Sequence, residues 1–586
     1  MSYIVDDAAS KHDVEKGSTH AVALNTAQAS TGDAALHRGL KGRHVQMISI
    51  GGVIGTGLFL GTANALRHGG PLGLLLGYMA IGSVCYSVMI ALGEMVAHLP
   101  VPGGHITLAR RFVSPAFSFA MGWNCESRIV LFLPTLSNPL FLLDWYNWTI
   151  VLPAELNAAA VLIGYWNKSV NPGVWIAVCL VVACAINFGG SRAYGEFWFA
   201  IIKVITIVGL IIVGIVIDCG GGPNGEYIGT KYWRDPGAMV QYLGLEGATG
   251  RFLGFWAVLI QASFSYIGTE IVAIAAGETQ DPRKTLPRAI KNVYIRILLF
   301  YILGVFITGL LVPSNDPRLN LGSGTAASAP FVIAIQNAGI KALPSIINAC
   351  LLTSAWSAAS SDLYTSSRAL YGLSINDQAP KILKKTNRWG LPYVCVLVGV
   401  AFSLLSFMSV GSTSAGTVFG CTSSPVLAAF ESPSTNAPNL ADFANMTSVC
   451  GLITWAGICL TAIRFNKGLK AQGIDRSMLP YRAPLQPYLS YYGLIFCCVI
   501  LFFNGWEVFV KITKFDTSTF VTSYFPIWFF PVLMAFYLLW RRGDRGVDFK
   551  DMDFVSGSRD EQAFENPGDL DASDKSLGAR VMAYVL

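Results

Sequence analysis

Charge is scarce in this chain. Lys, Arg, Asp and Glu together make up 13% of its 586 residues, about half of the roughly 25% usual for water-soluble domains. Histidine is missing from most of the length: all seven lie before position 106. No HExxH, His-Cys-Cys or Ser-His-Asp set can therefore be assembled from the body beyond it, which argues against a metalloenzyme or a hydrolase and leaves no catalytic group or metal site to name. The twelve cysteines are scattered singly apart from Cys497 and Cys498, and none has CxxC or metal-ligand spacing, so they read as reduced packing residues. The net charge of +6 comes without a basic face carrying interleaved aromatics, which argues against nucleic acid as a partner. The first 36 residues contain no apolar run of signal-peptide type.

What the chain has in place of charge is apolar sequence, 53% of all residues. It is gathered into blocks of about 20, the length that crosses a bilayer core of roughly 30 Å. Twelve spans are expected, near 46–66, 72–98, 116–164, 173–188, 197–217, 252–276, 290–312, 343–372, 391–409, 443–465, 488–510 and 521–540. Under that assignment Arg110, Arg111, Arg283, Lys284, Arg288, Lys381, Lys384 and Lys385 share a side with both termini. The positive-inside rule then makes the termini cytoplasmic. Residues 1–44 and 541–586 read as disordered cytoplasmic tails, expected to meet trafficking or ubiquitination machinery, around a transmembrane domain at 45–540. Asn167-Lys168-Ser169 forms a sequon on the outer side by pattern alone.

Two spans are interrupted. The first holds four glycines in the run Gly51-Gly52-Val53-Ile54-Gly55-Thr56-Gly57, and the sixth places a carboxylate in Ser265-Tyr266-Ile267-Gly268-Thr269-Glu270. Each contains Ile-Gly-Thr, at 54–56 and 267–269. Paired interruptions in corresponding spans of two halves mark an inverted-repeat transporter with its site at the midplane. Unwound backbone at that depth faces only protein or a wet cavity. Freed amides of span 1 suit an anion and freed carbonyls of span 6 an ammonium, the two poles of an amino acid. The competing reading is that the glycines only permit close helix packing, since Gly51 and Gly55 have small-xxx-small spacing.

These residues carry a family resemblance. LKGRHVQMISIGGVIGTGLFLGTA (40–63), ALGEMVAHLPVPGG (91–104), FSYIGTEIVAIAAGETQDPRKTLPRAI (264–290) and SSDLYTSSRALYGL (360–373) resemble the fungal amino-acid permeases of the amino acid/polyamine/organocation superfamily. GLPYVCV (390–396) and LPYRAPLQPY (479–488) extend the likeness, which runs from Leu40 to Phe554 apart from two inserts. The resemblance implies an all-α integral membrane protein with a five-plus-five inverted-repeat fold and two further C-terminal helices. It also implies residence in the plasma membrane and uptake of amino acids coupled to protons, with no other cofactor. By similarity the substrate carboxylate rests on Ile54, Gly55, Thr56 and Gly57. Its amine rests on Phe264, Ser265 and Tyr266 with Gly268, Thr269 and Glu270 beside them, and spans 3, 8 and 10 shape the specificity pocket.

Charge within a span asks for a partner or a task. Lys203 in span 5 stands where the resemblance places a coupling lysine, the alternative being a static buried ion pair. Glu270 either takes the proton, binds the amine or caps the break. Glu155 in span 3 is expected to face the bundle interior, for coupling or for a structural hydrogen bond. Glu94 is expected to pair with basic loop residues, and Phe264 and Tyr266 either gate the pocket or pack.

The inserts interrupt the resemblance. Gly122-Trp123-Asn124 should continue to Trp145-Tyr146-Asn147-Trp148 through a single Tyr, and Phe419-Gly420 should run shortly into Phe443-Ala444. Residues 125–144 and 421–442 intervene, each starting with Cys and ending with Asp. Suitable codons give both a splice donor, a CTAAC branch point and an acceptor, and rejoining leaves a Tyr codon in both, so both read as translated introns. A functional protein whose message retains both segments would overturn that reading. The function expected from the whole is symport of an amino acid with a proton by alternating access across a lipid bilayer. An amino-acid receptor of the same fold is the other class, distinguished by a long folded cytosolic extension.

Overall fold

The computed structural model describes residues 42–47, 54–55, 57–122, 146–167, 169–188, 195–279, 282–319, 329–387, 390–404, 406–407, 440–510, 517–541 and 546–556. Both inserts lie outside these residues, apart from the helical 440–442. The helices are α1 (Gly42–Met47), α2 (Thr62–His98), α3 (Gly104–Phe112), α4 (Pro115–Gly122), α5 (Tyr146–Ile163), α6 (Pro172–Phe188), α7 (Gly195–Asp218), α8 (Gly247–Tyr266) and α9 (Ile271–Ile274). The second half adds α10 (Pro282–Arg296), α11 (Leu303–Leu311), α12 (Pro330–Asn337), α13 (Leu343–Ile375), α14 (Tyr393–Ser403), α15 (Leu440–Ala471), α16 (Tyr488–Phe502), α17 (Glu507–Val510) and α18 (Thr517–Trp540). Each of the twelve expected spans contains helix among its described residues. Seven helical stretches among the described residues are long and apolar enough to cross a membrane.

Spans 1 and 2 run together as α2, and the separation falls at Gly70, whose φ of 72° and ψ of 176° lie outside the helical region. Pro71 follows, with no N–H to continue the ladder. The loop after α7 closes on this bend: Leu72 N–H donates to the Ala238 carbonyl at 2.9 Å, and Val240 N–H to that of Gly69 at 3.4 Å. Below the bend α2 packs along α8, with Val258 filling the space that a side chain on Gly77 would take.

The outer surface is apolar where lipid belongs. Val174, Val178 and Val181 of α6, Ile205 and Ile212 of α7, and Trp528, Val532 and Leu539 of α18 are all exposed. α13 is the opposite case. Its Ser354, Ser357, Ser360, Ser361, Asp362, Thr365, Ser366 and Ser367 are buried, so a polar stripe runs through the centre of the bundle. Asn187 of α6 donates to the Ser360 carbonyl at 3.0 Å and Asn348 of α13 to that of Leu162 at 2.9 Å, which ties the stripe to its neighbours.

One expectation is corrected here. Residues 541–586 read as disordered tail, yet 546–556 pack against α3 and the end of α15, with Met552 and Phe554 each 4% exposed. Val547 N–H donates to the Val113 carbonyl, and Arg464 donates to the carbonyls of Phe112 and Val547. A short run with three apolar anchors, Phe549, Met552 and Phe554, is enough to dock a chain whose composition is otherwise polar.

Candidate functional site

Span 1 is interrupted where its glycine-rich stretch is described. After α1 ends at Met47, Ile54 and Gly55 are non-helical, and the chain re-enters as a wide π turn over Gly57–Gly61 that leads into α2. The Ile54 carbonyl, released from helical pairing, accepts from Ser354 Oγ of α13 at 3.1 Å. Gly51, Gly52 and Thr56 lie outside the described residues.

Span 6 breaks in the matching place. α8 stops at Tyr266, Ile267 is extended at φ −60° and ψ 146°, and helix resumes only at Ile271. Gly268 has φ of 101°, in the left-handed region where a side chain is strained. Its N–H, which in an unbroken helix would donate to the Phe264 carbonyl four residues back, donates to Glu270 Oε2 at 3.2 Å. The two interruptions abut. A Cβ on Gly57 would lie 3.0 Å from Phe264 Cδ1 and 3.1 Å from Ser265 Cα.

A cavity of about 50 Å³ opens where they meet. Span 1 contributes Gly55 and Gly57, span 6 contributes Phe264, Ser265, Ile267, Gly268 and Ile271, and α5 contributes Val151 and Glu155. Ala358 and Asp362 of α13 and Thr447 of α15 complete the wall. Glu155 reaches the span-1 break itself, since a Cβ on Gly55 would stand 3.3 Å from its Oε1. Both acids are buried, Glu155 at 4% and Asp362 at 6% exposure.

Of the residues expected at the site, Gly55, Gly57, Phe264, Ser265, Gly268 and Glu155 line this cavity. Ile54, Tyr266, Thr269, Glu270 and Lys203 are not among its lining residues. Tyr266 is fully buried behind the break: its ring stacks on Tyr301 at 4.4 Å and its hydroxyl donates to the Tyr78 carbonyl at 3.0 Å. Tyr78 in turn shares a 2.8 Å hydrogen bond with Ser265 Oγ. Glu270 Oε2 accepts from Thr269 Oγ1 at 3.4 Å and from the Trp455 indole N–H of α15 at 3.2 Å. Lys203 is 1% exposed on α7. Glu94 receives Arg476 of the loop after α15 in a 2.7 Å ion pair, the kind of basic loop partner expected for it.

The residues that sequence reasoning passed over are Asp362, Ala358, Val151, Ile267, Ile271 and Thr447 on the wall and Trp455 behind it. Asp362 carried a readable signal, a carboxylate inside an apolar span. The others carried none, being small, aliphatic or aromatic side chains in apolar spans.

Residues 44–545 match the family model for the amino acid permease. The chain is 40% identical to a proline-specific permease of Emericella nidulans over 532 residues, covering 89% of this chain and 88% of that one. It is 41% identical to the dicarboxylic amino acid permease of Saccharomyces cerevisiae, covering 86% of this chain and 77% of that one. The lysine-specific permease of the same yeast is 40% identical, with coverage of 84% and 74%. Among solved structures, MhsT in complex with L-phenylalanine superposes with a TM-score of 0.52 at 15% identity, over 80% of this chain and 99% of that one, a likeness of fold.

Proposed function

The chain belongs to the amino acid permease family, and from that premise we propose that it carries amino acids into the cell together with protons, alternating access around the cavity between spans 1 and 6. The observation that carries this reading is the abutment of the two breaks at a buried cavity with carboxylates on its wall. The helix that starts at Gly57 offers the positive end of its dipole to a carboxylate. The last turn of α8 offers carbonyl oxygens to an ammonium, and Glu155 and Asp362 add negative charge beside them. A volume of about 50 Å³ admits roughly four water-sized groups, a fit for the charged head of an amino acid. Glu155, Glu270 and Lys203 are the ionisable groups proposed to carry or respond to the proton. The proposed setting is the plasma membrane with both termini cytoplasmic.

Uptake of labelled amino acids at two external pH values, with and without an uncoupler, tests the reading. Saturable uptake that is faster at the lower pH and collapses with the uncoupler is expected. Uptake indifferent to both removes the proton, and absence of uptake for every amino acid removes transport.

A further inference from the structure

Behind the cavity, one face of α15 runs along the whole of the span-6 break. Thr447, Gly451 and Trp455 are spaced by four and so share that face. Thr447 lies on the cavity wall. Gly451 leaves room for Ile267, whose Cδ1 occupies the place of a side chain there, 2.4 Å from where a Cβ would be. Trp455, fully buried, donates its indole N–H to Glu270 Oε2 at 3.2 Å.

That oxygen is shared. It also accepts from the Gly268 N–H at 3.2 Å and from Thr269 Oγ1 at 3.4 Å, while Oε1 of the same carboxylate is buried and accepts no hydrogen bond among the described residues. The Gly268 N–H is the donor that an unbroken helix would send to the Phe264 carbonyl. Glu270 therefore takes up the donor that the break releases, and the carbonyl of Phe264, a residue of the cavity wall, is left without its helical donor. A carboxylate attached two residues away by rotatable bonds has other rotamers open to it unless a further partner holds it. The indole has a single donor in fixed geometry, mounted on a separate span, and burial obliges it to find an acceptor.

We propose that Trp455 is a positioning residue for substrate binding: by fixing the Glu270 carboxylate against the Gly268 N–H, it keeps the Phe264 carbonyl available to the substrate's α-ammonium. The role rests on the reading that this cavity binds an amino acid. It assigns to α15 a part in recognising the ammonium that requires no contact with the substrate.

The test uses the full chain in cells, with surface abundance measured for every variant. The probe is whichever labelled amino acid of the twenty the wild type imports fastest, competed by the matching carboxylic acid that lacks the amino group. Trp455→Phe, which keeps the ring and removes the N–H, is expected to raise KM about tenfold, the scale of one hydrogen bond to a charged group. The maximal rate should stay within about twofold, and inhibition by the desamino acid should be unchanged. Glu270→Gln, of the same shape but a weaker acceptor, is expected to raise KM as well, and the double variant no further than the worse single one. If Trp455→Phe does not reach the surface, binding of the same amino acid and of its desamino analogue to the purified variant in detergent decides through the same ratio. An unchanged KM, additive effects, or equal loss for both probes overturns the positioning role while transport stands. A wild type that imports none of the twenty overturns the transport reading beneath it and the role with it.

Discussion

A methyl group at residue 57 has nowhere to go. Its Cβ would lie 3.0 Å from the Phe264 ring and 3.1 Å from the Ser265 backbone, and backbone does not step aside as a flexible side chain does. Gly57→Ala should thus push the two breaks apart by a fraction of an ångström and lower uptake several-fold, less than the roughly hundredfold that a misplacement of about 1 Å at a reacting centre costs, with surface abundance retained. Gly209 of α7 is the control, because a Cβ there meets nothing within 4 Å. Gly209→Ala should leave uptake unchanged; equal loss in both variants would mean that the effect is general to glycine. The interruption at Gly55 and Gly57 was legible because four glycines in seven residues at bilayer depth is a density unusual for a simple helix. The direction of Glu270 was not, since helical periodicity cannot be carried across the turn at 267–270 that aims its carboxylate at Trp455. Asp362 sat in plain view within a stretch that carries the family likeness, and only packing of α13 beside Glu155 and the broken helices gives it a place.

Among elements, the long apolar helices were readable and the bends between them were not. Hydropathy finds blocks of about 20 residues whatever their path, and helix lies in each of them among the described residues, but it cannot tell that α2 runs through the end of span 1 and all of span 2 with a single bent residue. Nor does it register α3, nine residues with two arginines at one end, or α12 within the loop between spans 7 and 8. Gly70 marks the bend, and its φ of 72° with ψ of 176° lies in a region essentially confined to glycine, where a residue with a Cβ is strained by roughly 1–3 kcal/mol. A Cβ there would in addition stand 2.8 Å from the Ala238 carbonyl, the acceptor that holds Leu72 N–H and closes the loop after α7 on the bend. Gly70→Ala is accordingly expected to lower the thermal midpoint of the purified protein. Gly73→Ala, three residues on in regular helix and with its nearest neighbour at 3.9 Å, should not lower it.

The whole molecule is held at one end by its own C-terminal segment, and there composition misled. Residues 546–556 are rich in Asp and read as tail, because the surface that receives them is assembled from parts distant in sequence: Phe112 at the end of α3 and Phe465 in α15. Phe554 lies 5.2 Å from the Phe112 ring and 5.4 Å from that of Phe465, Gln472 donates to the carbonyls of Phe549, Lys550 and Met552, and Arg111 pairs with Asp553 at 3.6 Å. In the proposed orientation this is the cytoplasmic face, so the segment bridges the helix after span 2 to span 10, the span that also carries Thr447 and Trp455. Truncating a buried phenylalanine removes about 3–5 kcal/mol, more than a single short segment with one ion pair near the surface can make up. Phe554→Ala should therefore release the segment locally before the bundle unfolds. Lys550 is exposed within it and gives trypsin a site that needs an undocked backbone. Faster cleavage after Lys550 in Phe554→Ala than in the wild type, at a temperature where the spans remain folded, is the expected result; equal rates would mean that the docked segment is held by something other than its aromatic anchor.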